Sequence, residues 1–275
     1  MARAYRTVGF AAACALASTP PWELEAWVLA RVYEWTAGRR ARGERPAPEE
    51  REAIRREARD AIVVHWTGEL ATAAFGRRTL DAIGPVLRDW LERSHGFLTF
   101  RLVQVLSGHG CFGSYLHRIG REETPSCHDC GAVEDTAQHT LEVCPSWSET
   151  RRSLIAVIGP DLSLPGLVNA MLEDERSWVA IASFCEHVMS QKEAAERARE
   201  DDPHAASLRR RRRGRRRRQF DSHLRLLPGG DQQATGAGAP LPVLHRPPPV
   251  SDGNGQVFPA IPVAPQPGGH VGPAS

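Results

Sequence analysis

Cys127, Cys130, His139 and Cys144 follow one another as Cys-x2-Cys-x8-His-x4-Cys, and no other feature constrains the fold of this chain so tightly. Three thiolates and one imidazole are the ligand set that closes a tetrahedral structural zinc site. A Cys-x-x-Cys turn aims two sulfurs at one ion, and His139 and Cys144, about one helical turn apart, complete the shell from a helix. Four protein ligands leave no open coordination position, so this zinc is expected to hold a short segment folded and not to activate water. His128, between the first two cysteines, suits an outer contact or a nucleic-acid contact better than a fifth ligand. Asp135 and Thr136 are placed to hydrogen-bond the site, orienting His139 through its free ring nitrogen. His109, Cys111 and His117 upstream lack a fourth ligand nearby, so no second metal site is expected.

Around this cluster the sequence offers little chemistry. The only Asp-Asp pair is Asp201-Asp202, in a charged linker, where a polymerase would need paired aspartates holding magnesium. Gly-rich phosphate loops, a Gly-x-Ser-x-Gly elbow and His-Glu-x-x-His are absent, so no catalytic residue is assigned. Six cysteines are too few for a disulfide scaffold and, with this spacing, favour metal and a reducing compartment. No apolar run approaches the length of a membrane span. The opening "MARAYRTVGFAAACALAS" reads either as a signal peptide cleaved after Ala15-Leu16-Ala17 or as a buried helix over residues 8–16, and the second is preferred.

Hydrophobic spacing predicts a mainly α fold. Residues 19–35 begin with a Thr19 cap and two prolines, then place Leu24, Val28, Val32 and Trp35 on one face. Residues 38–48 read as a polar hinge before a long amphipathic helix striped by Ile54, Ala58, Ile62, His65 and Leu70, with His65 a packed, hydrogen-bonded residue. Residues 85–94 form a short helix carrying Val86, Trp90 and Leu91; residues 97–108 fit either helix or strand and are assigned as helix. Ser148 caps a helix that stops at Gly159-Pro160, and residues 164–200 form a last long helical stretch with Trp178, Ile181, Phe184, Cys185 and Val188 facing inward. Cys14 and Cys185, alone on apolar faces, are core residues.

The net charge of +2 conceals two regions. Nine arginines (Arg209, Arg210, Arg211, Arg212, Arg213, Arg215, Arg216, Arg217 and Arg218) stand in one run, and without them the remainder carries −7. The run reads as a polyanion-binding or nuclear or nucleolar targeting segment. Lys192 is the single lysine among thirty-five basic residues, a bias that weakens any argument from arginine chemistry elsewhere. Beyond it, proline and glycine crowd a stretch without hydrophobic periodicity, which is expected to be disordered. The expected organisation is a helical connector over 1–107, a CCHC zinc-knuckle module over 108–150, C-terminal helices over 151–200 and a disordered basic, Pro/Gly-rich tail over 201–275.

Several segments carry a resemblance. "AYRTVGFAAACALASTPPWELEA", the stretch "LVQVLSGHGCFGSYLHRIGREETPSCHDCGAVEDTAQHTLEVCPSWSETRRSL" with its Gln-x-Leu-Ser-Gly-His-Gly-x-Phe lead-in, and the basic close "QKEAAERARE" through the arginine run are together similar to the C-terminal region of the polyprotein of arthropod non-LTR retrotransposons, the group related to ribosomal-DNA-inserting and telomeric elements. The resemblance runs from Ala4 to about Arg218. It implies a connector that follows the polymerase, and a zinc knuckle ligated by Cys127, Cys130, His139 and Cys144. The intact polyprotein it points to is an endonuclease and reverse transcriptase that copies RNA into a nicked target. The aromatic-x-Asp-Asp palm motif and the endonuclease are absent here, so the chain is expected not to be an enzyme, and Met1 is expected to be an internal start of a truncated copy or of a partial gene model.

The preferred reading is a nucleic-acid-binding accessory region whose partners are RNA or DNA, with His117, Arg118, Arg121 and His128 as contacts beside the arginine run, and no membrane partner. Trp147 is either a base-stacking residue or a lid on the module's small core. The alternatives are a zinc-stapled helical scaffold, favoured by the −7 body, which repels phosphate, and a relic without function.

Overall fold

The computed structural model describes residues 4–204; the arginine run and the Pro/Gly-rich segment, with the disorder, nucleic-acid binding and nuclear targeting expected of them, lie outside the described residues. Within that span every regular element is helical and no strand occurs. Ten α-helices follow in order: α1 Phe10–Leu16, α2 Trp22–Ala41, α3 Pro48–Thr72, α4 Arg77–Ile83, α5 Leu87–Glu92, α6 Phe100–Ser107, α7 Gly113–Arg118, α8 Ser148–Ile158, α9 Leu164–Glu173 and α10 Glu175–Asp201. None is long and apolar enough to cross a membrane.

The helix α10 organises the body, packing against α6, α8 and α9, while α2 pairs with α3, and α4 lies against α1 and α9. Its inward face carries Trp178, Ile181, Phe184, Cys185 and Val188, all buried, as their spacing predicts. The expected single stretch over residues 164–200 divides at Asp174, whose extended backbone ends α9 and whose carboxylate accepts from the Ser177 N–H at 2.8 Å, starting α10. Other boundaries also differ from the sequence reading. Residues 38–41 continue α2 through Gly38, so the connection is only residues 42–47, closed by Arg39 to Glu44 (2.7 Å) and Glu50 (2.9 Å). Thr19 lies outside α2, which starts after Pro21. Ser148 is the first residue of α8 rather than its side-chain cap. The buried stripe of α3 is Ala58, Ile62, Trp66 and Leu70, at steps of four; His65 is turned aside toward Glu69 at 3.4 Å.

Two tryptophans fix the centre of the core. Trp90 and Trp178 stack with centroids 5.6 Å apart, and their indole N–H groups donate to Ala15 O (3.0 Å) and Phe97 O (3.2 Å). The Arg93 guanidinium covers both rings, 4.2 and 5.3 Å from their centroids, and donates to Ser18 Oγ at 2.6 Å. Gly96 has φ +76° and its missing Cβ would stand 2.2 Å from the Trp178 ring, so any side chain there displaces the indole.

Candidate metal centre

Between α7 and α8 the chain is held by turns. The Cys127 N–H donates to Ala132 O and the Gly131 N–H to Cys127 O, each at 2.8 Å, closing the loop that presents the first two cysteines. The other two ligands come from a single wide turn over His139–Val143, in which the Cys144 N–H donates to His139 O at 2.8 Å. In an α-helix, residues five apart point about 140° away from each other. The i to i+5 bond widens the turn and brings His139 and Cys144 to one side. This is the physical content of the x4 spacing.

The four ligand atoms lie within 4.8 Å of one another. Cys127 Sγ is 3.9 Å from Cys144 Sγ, and Cys130 Sγ is 3.3 Å from His139 Nε2. A tetrahedral ion with Zn–S about 2.3 Å and Zn–N about 2.0–2.1 Å sets such edges at about 3.5–3.8 Å. The Cys3His donor set therefore fits a metal such as zinc. Cys127 and Cys144 are buried and Cys130 and His139 half-buried. Burial, with Asp135 adding to it, pushes the Cys127 thiol up to about 12, and burial also raises Cys144. Such thiols become stable ligands only when a cation takes the place of their protons.

The supporting residues differ from those foreseen. Thr136 does reach His139, but its hydroxyl accepts from the backbone N–H (3.0 Å) and does not orient the ring. Asp135 turns to the other side. Its carboxylate accepts from the Gly113 N–H (3.0 Å), the Thr140 hydroxyl (3.3 Å) and the Lys192 ammonium (3.0 Å). Gly113 itself sits where a Cβ would stand 2.3 Å from Ser126 O, which lets the start of α7 approach the cysteine loop. Lys192, on α10, also donates to Asp129 at 2.7 Å.

Arg151 was missed entirely. Buried on α8, it donates to Leu141 O (2.6 Å), Thr140 O (3.1 Å) and Cys144 O (2.7 Å), satisfying the carbonyls that end the ligand-bearing turn. Nothing in the sequence separates it from its neighbour Arg152, which is exposed and pairs with Glu149.

The expected nucleic-acid contacts scatter in character. His117 and Arg118 are exposed at the end of α7; His117 Nδ1 lies 3.1 Å from Glu122 O, and the Arg118 guanidinium is 5.1 Å from the Tyr115 ring centroid. His128 Nε2 is 2.9 Å from the carboxylate of buried Glu122, and Arg121 pairs with Glu200. Trp147 is buried, which makes it a lid on the core and removes it as a stacking surface. His109, Cys111 and His117 do not converge: among the described residues the Cys3His set alone gathers three or more metal-ligating groups.

The lead-in segment acquires a structural reading. Gln104 is buried and donates to Glu193 at 2.8 Å, Gly108 closes α6 with φ +70°, and Phe112 is fully buried with Lys192 over its ring at 5.9 Å. It is the joint through which α6 and α10 hold the metal module.

No family model matches the chain, and no solved structure matches it. The chain is 25% identical over 205 residues to a Pol polyprotein from the type-1 retrotransposable element R1 4 of Nasonia vitripennis, covering 71% of this chain and 51% of that protein. It is 26% identical over 196 residues to a putative 115 kDa protein in the element R1DM of Drosophila melanogaster, covering 69% and 19% of the two. Over a shorter stretch of 88 residues the identity to the R1 Pol polyprotein of Bradysia coprophila is 34%, covering 31% and 8%. The chain spans about half of the length of the first of these relatives and less of the others. Over most of its length, then, this Cys3His-bearing helical chain is a distant homologue of the Pol polyproteins of R1-type insect non-LTR retrotransposons.

Proposed function

We propose that the chain is a non-catalytic, nucleic-acid-binding region of an R1-type retrotransposon polyprotein, in which a zinc knuckle positions template RNA or target DNA. The observation that carries this reading is the convergence of Cys127, Cys130, His139 and Cys144 to within 4.8 Å on a helical body homologous to R1 Pol polyproteins. Zinc, when bound, supplies structural closure and no activated water, because all four positions belong to the protein. The chain's own residues do the rest. Arg151 and Thr136 shape the turn that presents His139 and Cys144, and His117, Arg118 and His128 are each exposed. The nine-arginine run adds sequence-independent phosphate affinity and directs the chain to the nucleus. The polymerase and endonuclease activities reside elsewhere in the polyprotein.

The test is binding of fluorescent single-stranded RNA and DNA to the full chain across a salt series, with and without a zinc chelator. Binding that weakens on chelation at every salt concentration supports the reading. Binding that is indifferent to chelation and disappears when the arginine run is removed favours a zinc-stapled scaffold. That second reading draws on the pairing of Arg121 and His128 with Glu200 and Glu122, which spends cationic surface inside the protein.

A further inference from the structure

A cleft of about 630 Å³ opens on the body, away from the Cys3His cluster. Its walls are the segment entering α1, the turn between α3 and α4, and α7. The volume falls in the about 300–1,000 Å³ range of small-ligand sites. At the cleft two phenylalanines stand open to solvent, Phe10 at 69% and Phe75 at 78% exposure, with Ile119 beside them at 42%. Aromatic rings this exposed, flanking a concave surface, have found no partner within the fold.

The polar character of the cleft is as one-sided as its apolar character. No carboxylate lines it, although the chain without its arginine run carries −7. Its cation is Arg118, exposed at the end of α7. Among the described residues no carboxylate pairs with Arg118, whereas its neighbour in the chain, Arg121, is spent on Glu200. The Arg118 guanidinium rests over the Tyr115 ring instead, 5.1 Å from its centroid, which fixes its position without consuming its hydrogen-bond donors. Hydrogen-bonding groups gather on the same wall: Thr7 Oγ1 lies 2.7 Å from the Tyr115 hydroxyl and 3.2 Å from His109 Nδ1, and the His109 ring stacks on Tyr115 at 4.8 Å. Burial, with the Arg118 charge, holds His109 below its ordinary pKa, so it presents a neutral ring.

Exposed planar apolar surface, hydrogen-bonding edges and one unspent guanidinium in an acid-free cleft complement a ligand that is aromatic, polar-edged and anionic at once. We propose that this cleft receives one unpaired nucleotide of a single-stranded nucleic acid, the base lying against Phe75 and Phe10 and its phosphate on Arg118. The inference rests on the nucleic-acid reading above and gives one of its contacts, Arg118, a defined ligand, in a cleft walled by the body and by α7.

The experiment uses the full chain and a short single-stranded RNA carrying one 2-aminopurine, across a salt series reaching about 0.3 M, where the arginine run contributes least. Binding to the wild type is expected to quench the 2-aminopurine. Phe75→Ala is expected to abolish the quenching and weaken affinity about 5- to 100-fold, and Arg118→Gln to lower the salt slope by about 0.7. Both residues are exposed, and unchanged melting temperatures will show that the variants fold. Chelator-sensitive binding in which both variants behave as the wild type overturns the cleft assignment and leaves the knuckle reading standing. No binding by the wild type overturns both. Adenosine monophosphate binding as tightly as the strand overturns the strand assignment in favour of a free-nucleotide site.

Discussion

The Lys192 ammonium lies 3.0 Å from the Asp135 carboxylate, and both side chains are 3% exposed. A second carboxylate, Asp129, approaches the same nitrogen at 2.7 Å. Asp129 sits between the first two cysteines in sequence and Asp135 shortly before His139, so one buried cation ties both halves of the metal module to α10. Burial by itself lowers the pKa of this lysine; Asp135 and Asp129 reverse the effect and raise it. Charges this deep persist only when paired, which makes the triad a latch between module and body.

Lys192→Met is expected to destabilise the protein by about 3–5 kcal/mol, because buried Asp135 and half-buried Asp129 lose their partner. Thermal melting measures it. Adding Asp129→Asn and Asp135→Asn should restore part of the loss; a triple variant no more stable than Lys192→Met would argue against the latch.

Cys130→Ser is expected to lower bound zinc well below one equivalent and to expose residues 125–145 to hydrogen exchange before the helices of the body. Metal analysis and exchange mass spectrometry read the two effects. Full zinc content in the variant would remove Cys130 from the ligand set.

For Arg151→Met the expected loss is about 2–4 kcal/mol, since the buried Thr140 and Leu141 carbonyls lose the guanidinium, while Cys144 O keeps only the Trp147 N–H at 3.2 Å. Zinc affinity should fall about 10- to 100-fold, the usual consequence of removing an outer support. The neighbouring Arg152→Met, exposed, serves as the control and should change neither.

The N-cap carboxylate of Asp174 is held below its ordinary pKa by the Ser177 N–H and hydroxyl. Its folded-state value is depressed, so the stability it lends α10 is complete above the unfolded carboxylate value of about 3.9 and is lost as pH falls through the lower folded value. Asp174→Ala should therefore melt earlier than the wild type at neutral pH, and the gap should narrow in acid below about pH 4. A gap that stays constant to about pH 2 would show that the charge contributes nothing.

What was legible in the sequence was local. The four ligands lie within one short segment and their identity alone specifies the donor set, so Cys127, Cys130, His139 and Cys144 converge as their spacing requires. The inward face of α10 was equally plain, because five apolar residues at helical spacing admit one orientation. The errors fell where periodicity is ambiguous or a helix end depends on its neighbours: His65 and Trp66 are adjacent and compete for one stripe, and Asp174 interrupts a run that composition alone would continue. The partners of the module could not be read at all. Lys192 meets Asp135 across 57 residues, Arg121 meets Glu200 across 79, and Arg151 serves carbonyls, which have no sequence signature. The sequence by itself determined the helical class and the Cys3His cluster that fits a metal, because both follow from residue type at short spacing. Only the tertiary structure decided which charges are buried, paired or left open, because that depends on which distant helices meet and exclude water between them.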